Sequence, residues 1–210
     1  EIVNRDNTMR TLLRSIYRHV PASRAVFRKI SQILPLLIRD RAFLEKQVFA
    51  YLNREQNIQK ILFAGVEMYT LHYAGCLPGK QFQTIDIDPE KAGYGATNHH
   101  TVGSVTELRS YYKSDQFDCI ILNGLIGYGL NSERDVDQAL RESLAVLRPG
   151  GLLIIGWNNT PQHLAFNLES LPGYRQFEKF VPQTGNLNAS RIEANPGNRH
   201  TFDFLRKPAH

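Results

Sequence analysis

The sequence holds two cysteines, Cys76 and Cys119, and a single tryptophan, Trp157. Two thiols so far apart are too few for a zinc-type metal motif, and Cys119 falls within an apolar run where a small thiol packs well. Both are read as structural. The longest apolar stretches, near 33–38 and 152–155, fall far short of the roughly 20 residues that span a bilayer. No Gly-x-x-x-x-Gly-Lys phosphate loop and no Gly-x-Ser-x-Gly elbow is present, which argues against kinase-like and hydrolase-like chemistry. Repeats and low-complexity tracts are missing too. No cleavable secretory segment is visible, so the protein is expected to be soluble and cytoplasmic, a localisation that stays provisional because the chain opens on Glu1 rather than Met.

What remains is an ordinary globular composition over 210 residues, enough for one α/β domain and an added element. The net charge of +5 is concentrated before residue 55, where Arg10, Arg14 and Arg18 recur every fourth position and Arg24, Arg28 and Lys29 follow. Leu13, Ile16, Tyr17 and Val20 fall on another face, so this region reads as helices punctuated by Pro21 and Pro35. A longer helix is expected from about 36 to 52. The basic stripe suits a solvated face or an oligomer contact, and a homodimer through these helices is one expectation. Aromatic interleaving is thin there, so nucleic acid is not an expected partner.

From residue 60 the chain alternates strand and helix. Four apolar runs each end at Gly, Asp or Asn: Lys60-Ile-Leu-Phe-Ala-Gly65, Phe82-Gln-Thr-Ile-Asp-Ile-Asp-Pro89, Phe117-Asp-Cys-Ile-Ile-Leu-Asn-Gly124 and Leu147-Arg-Pro-Gly-Gly-Leu-Leu-Ile-Ile-Gly156. A helix over 132–147, with Glu133 and Asp135 in its first turn, is expected to end at the basic breaker Arg148-Pro-Gly-Gly151. A helix is expected from Thr160, and strands over 174–181 and 200–206. Residues 183–198, rich in Asn, Gly and Pro, read as a loop that could serve as a lid. The fold expected is α/β, a mostly parallel seven-stranded sheet with helices on both faces and a helical N-terminal extension, divided into a cap (1–56) and a cofactor-binding domain (57–210).

These four runs resemble the motifs of the class I S-adenosylmethionine-dependent methyltransferases, a Rossmann-like family, over about 58–206. The resemblance implies S-adenosylmethionine as cofactor and Asp86 as the acceptor of both ribose hydroxyls, with Asp88 capping the next turn. Ser104 and Val105 stand where the family reads adenine, and Gly65, Tyr69, Ile87 and Asn123 complete the expected cofactor wall. The first motif departs from the family: Gly65-Val-Glu-Met-Tyr69 has Glu67 and Tyr69 in place of two glycines, which demands another loop path. Phe63 stands where the family often has an acidic residue for the methionine ammonium, and Glu67 is the candidate replacement.

The ends of strands four and five are left to the acceptor, here a small molecule, as in small-molecule biosynthesis. Trp157, Asn158, His72 and Tyr17 are the expected substrate-binding residues. His163 is the best-placed base, ahead of His72, His99 and His100, and Tyr128 stands beside it as a second catalytic candidate. No metal is expected, since the adjacent His99 and His100 point to opposite faces of a strand with no ligand beside them. The alternatives are an altered or inactive binding module on the same fold, another transfer on a nucleoside-like cofactor, such as aminopropyl transfer, and methylation of RNA or protein.

Overall fold

The computed structural model describes residues 39–209 together with Lys29. The arginine stripe, Tyr17 and the expected N-terminal dimer contact lie outside those residues. The described chain opens with helix α1 (39–54), whose central turn Leu44–Phe49 is π-helical between α-helical Arg39–Phe43 and Ala50–Arg54. Strand β1 (Lys60–Ala64) follows. The short helix α2 (Tyr73–Cys76), β2 (Gln81–Asp86), β3 (His100–Val102), β4 (Phe117–Asn123), helix α3 (Glu133–Val146) and β5 (Leu147–Asn158) come next, then β6 (Glu178–Lys179), β7 (Arg191–Asn195) and β8 (His200–Arg206).

The sheet has eight strands in the order β3-β2-β1-β4-β5-β8-β6, with β7 on β8. Strands β1 to β5 pair in parallel, while β6, β7 and β5 all meet β8 antiparallel. The middle strands are continuous apolar runs because both faces are covered. On one face Leu62, Ile120, Leu122 and Leu153 pack against Val136 and Leu140 of α3. On the other Ile61, Phe63, Ile121 and Ile154 pack against Leu44, Val48 and Leu52 of α1 and Tyr73 of α2. Strand order reverses between β1 and β4, which opens a crevice at their carboxyl ends.

Helix α3 starts as its sequence predicts, with the Ser132 hydroxyl accepting from the Asp135 amide at 3.1 Å. Its far end differs. Strand β5 begins directly at Leu147, so Arg148 is not a last-turn cation; its guanidinium bonds Asp118 and the carbonyl of Asn57 instead. Residues 183–198 contain β7, a strand that a polar composition hid: Ile192 and Ala194 pack on the core while Arg191 and Glu193 hold ion pairs. Residues from Thr160 form a turn, not a helix, and the strand expected over 174–181 shrinks to two residues after a 3-10 turn at Tyr174–Gln176.

Asp118 fastens the edge opposite the crevice. Its carboxylate accepts from the amides of Gln59 and Lys60 at 2.8 and 2.7 Å and from Arg148. Burial opposes ionisation, but these hydrogen bonds prevail and hold the carboxyl below its ordinary value. Glu142, gripped by Arg109, is shifted the same way against its own burial. A carboxyl with a depressed folded pKa stabilises the fold above its unfolded value and loses that contribution as pH falls toward the folded value. The resistance of the wild type to urea should therefore fall as pH drops below about 4. Asp118→Asn should cost about 1–3 kcal/mol at neutral pH and flatten that acid limb.

Candidate active site

At the end of β1 the chain turns at Gly65, with φ of +89°. A Cβ there would stand 3.0 Å from the Asn123 carbonyl oxygen and 2.9 Å from Leu125 Cδ2, so the bare backbone lets this loop cross the end of β4. Asp86, buried at the end of β2, accepts from the Val66 amide at 2.9 Å and the Asp88 amide at 2.9 Å. Its two oxygens keep further acceptor capacity. Asp88 caps the next turn through the Glu90 amide at 2.9 Å, as its sequence position predicts.

Next to Asp86, Ile87 is 71% exposed, and Val102 at the end of β3 is exposed as well. These are apolar side chains left bare at the rim of a sheet whose interior is fully covered. Ser104 caps the turn after β3, accepting from the Thr106 amide at 3.2 Å, and Val105 is buried beneath it. Glu67 is the N-cap of the 3-10 turn Met68–Thr70, and its carboxylate meets Lys91 at 2.8 Å. Tyr69 lies under the guanidinium of Arg41 from α1.

On the other side of the switch point, Asn158 is the hub. Its Nδ2 donates to the Tyr128 hydroxyl at 2.8 Å, and its Oδ1 lies 2.7 Å from Nδ1 of His200. The other ring nitrogen of His200 lies 3.2 Å from Oδ1 of Asn123. Asp40 of α1 stands 4.0 Å from His200 and takes a hydrogen bond from Asn195 at 3.2 Å. Burial pushes the His200 pKa below the ordinary imidazole value, with Asp40 opposing and Arg41 assisting that shift. Tyr128 is 62% exposed, and its ring centre is 5.0 Å from that of His163. Nδ1 of His163 pairs with the Thr160 hydroxyl at 2.8 Å.

The structure thus brings Gly65, Asp86, Ile87 and Asn123 to the carboxyl edge, with Tyr128, Asn158 and His163 beside them. Trp157 instead packs into the core on the face of α3, with the Arg191 guanidinium 5.5 Å from its ring centre. His72 is buried between α1 and α2 against Glu45. His100 bonds the Thr84 hydroxyl at 2.9 Å. His200, Asp40 and Arg41 are site residues that sequence reading missed. One signal for His200 was available: a last strand that runs antiparallel begins at the edge where the parallel strands end.

Comparison with known proteins agrees with the fold. Residues 64–155 match a family model described as a methyltransferase domain. The molecule carries the class I methyltransferase fold. Among solved structures with this methyltransferase fold, N-methyltransferase NodS from Bradyrhizobium japonicum WM9, in complex with S-adenosyl-L-homocysteine, is 14% identical with a TM-score of 0.62, over 80% of this chain and 87% of its own. A TehB-like SAM-dependent methyltransferase from Corynebacterium glutamicum is 17% identical, TM-score 0.59, over 90% and 99%. The 1,6-didemethyltoxoflavin-N1-methyltransferase of Burkholderia thailandensis is 18% identical, TM-score 0.54, over 98% and 89%. At these identities the likeness is one of fold. No curated protein matches the sequence.

The methyltransferase fold places Gly156 beneath the polar hub. A Cβ on it would fall 1.9 Å from Oδ1 of Asn123 and 2.9 Å from the Phe202 ring. Gly156→Ala should therefore displace Asn123 from His200 and destabilise the protein by about 1–3 kcal/mol. Denaturant unfolding reads the loss, and the imidazole resonances of His200 should move in the same variant.

Proposed function

We propose that this protein is an S-adenosylmethionine-dependent methyltransferase acting on a small-molecule acceptor. The observation that carries the proposal is the paired edge: an acidic and apolar cradle at the ends of β1 to β3 and, at the ends of β4, β5 and β8, the buried His200 and Asn158 linked to the exposed Tyr128. The cradle fits the cofactor. Asp86 has the acceptor capacity for ribose hydroxyls, Ile87 and Val102 offer bare apolar faces to a purine, and Gly65 keeps the backbone low. Ser104 and Val105 remain the adenine-side candidates. Glu67 faces Lys91, so the ammonium role fits it less well than a role in holding the loop. Two solved relatives by fold were crystallised with S-adenosylhomocysteine, which supports the same choice of cofactor.

When bound, S-adenosylmethionine supplies an electrophilic methyl group on a sulfonium. The protein's part is to align the acceptor and take up its proton where the nucleophile carries one. His200 fits that second task better than His163. Nδ1 of His200 faces Oδ1 of Asn158 and its Nε2 faces Oδ1 of Asn123; the neutral ring, favoured by burial, donates to one of these amide oxygens and keeps the lone pair of its other nitrogen as the base. Tyr128, exposed and tethered to Asn158, and His163 beside it form the outer wall for the acceptor. Arg41 over Tyr69 closes the loop side, where the family's glycines are missing.

A second reading has an observation behind it. Tyr69 with Arg41 across it, in place of glycines, would suit a binding module that kept the fold and lost transfer. Calorimetric titration of the purified protein with S-adenosylmethionine and S-adenosylhomocysteine tests the proposal first. Micromolar binding that Asp86→Ala removes supports the cradle, and absence of binding of either ligand sinks the proposal. With an acceptor found, His200→Gln should lower kcat about 10²–10⁴-fold with cofactor affinity unchanged. Because the neutral ring is the active form, wild-type kcat should fall as pH drops through a pKa below the ordinary imidazole value, and the variant should lose that limb.

A further inference from the structure

One turn below the candidate active site, α1 and α2 face each other across a polar gap. Arg41 of α1 lies over Tyr69, and the next contact down the same pair of segments is Glu45 with His72, followed by Cys76 at the end of α2. His72 is 7% exposed, and neither of its ring nitrogens has a hydrogen-bond partner. Its Nε2 stands 3.1 Å from Glu45 Oε2 without hydrogen-bond alignment, and the second carboxylate oxygen of Glu45 is buried and unpartnered. Donor atoms of Glu45, His72 and Cys76 lie within 4.8 Å of one another. Among the described residues no other group of His, Cys, Asp and Glu is drawn together in this way.

We propose that Glu45, His72 and Cys76 form a binding site for a divalent transition-metal ion of the zinc type. The donor set, one imidazole, one thiolate and one carboxylate, is the N/S/O combination that zinc takes, leaving a fourth position for water. Charge supports the choice: the Cys76 thiol releases its proton to solvent on binding, and the resulting thiolate and the Glu45 carboxylate together neutralise a divalent ion. Without an ion, a buried imidazole and carboxylate oxygen stay unsatisfied beside the Tyr73 ring, which is itself packed between Phe49 and Phe63, an arrangement that costs stability.

The sequence and fold preorganise the set. His72 and Cys76 are four apart, which places them on one side of the α2 turn. Glu45 sits in the π-helical turn of α1, the kind of local irregularity that recurs at functional sites. Asn53 of α1 donates to the Cys76 carbonyl at 2.7 Å and holds that end of α2 in place. Metal–ligand bonds of roughly 2.0–2.3 Å require the donors to close by about an ångström, which side-chain rotation supplies. A bound ion would clamp α1, which carries Asp40 and Arg41, to the segment that follows the Gly65 loop.

The site stands independently of the methyltransferase proposal and is tested without a methyl donor. The full chain, stripped with chelator, is titrated with Co²⁺ and competed with Zn²⁺. The expected result is one equivalent bound with the intense near-ultraviolet thiolate-to-cobalt charge-transfer band. Cys76→Ser, a near-isosteric change at a half-buried position, should abolish the band and weaken Zn²⁺ binding at least tenfold, on the order of what metal-site partners contribute. His72→Gln should weaken binding comparably, and thermal unfolding of both metal-free variants checks that they fold. Failure of the wild type to bind either ion at micromolar concentration overturns the proposal. So does binding that survives Cys76→Ser, which would assign the ion to other histidines.

Discussion

The Asp86 carboxylate is the fastening on which the crevice depends. One oxygen holds the Val66 amide of the loop after β1, and the other holds the Asp88 amide of the turn after β2. Both are charge-assisted bonds in a buried setting, where an unmatched amide costs about 1–3 kcal/mol. Fixing those two turns fixes where Gly65 passes Asn123 and where Ile87 is left bare. A single side chain thereby shapes the loop and offers itself to a ligand. The two roles are compatible because a carboxylate has more acceptor sites than two amides fill.

Across the switch point the organisation is a chain of polar side-chain contacts. Tyr128, Asn158, His200 and Asn123 are supplied by β4, the loop after it, β5 and β8, and each is oriented by the next. Helix α1 contributes Asp40 and Arg41 to this same edge while its apolar side packs into the sheet core at Leu44, Val48 and Leu52. The segment before β1 is thus bound to the sheet by burial and to the site by charge. The domain boundary expected at residue 56 falls between α1 and a sheet with which it shares that core.

Much of the fold was legible because parallel strands buried on both faces leave continuous apolar runs, and each of β1, β4 and β5 has one. The caps Ser132 and Asp88 were legible for a local reason, since a cap is a bond between neighbours in sequence. Strand β7 was not, because an edge strand with polar outward residues looks like loop until its partner is known. The turn after β5 and the shortened β6 were misread for the same reason: short apolar runs near Pro161 and Pro172 acquire their state from packing.

The sequence by itself determined the class of sheet and the positions of Asp86, Ile87, Asn123 and Asn158 at strand ends, because those follow from run length, run endings and alternation along the chain. Only the tertiary structure decided what meets what. It set His200 against Asn158, 42 residues away, sent Trp157 into the core, paired Glu67 with Lys91, and faced Glu45 toward His72 and Cys76. These pairings arise where an antiparallel last strand and a packed helix converge on one edge. Convergence of that kind is a property of three-dimensional packing and leaves no spacing in the sequence to read.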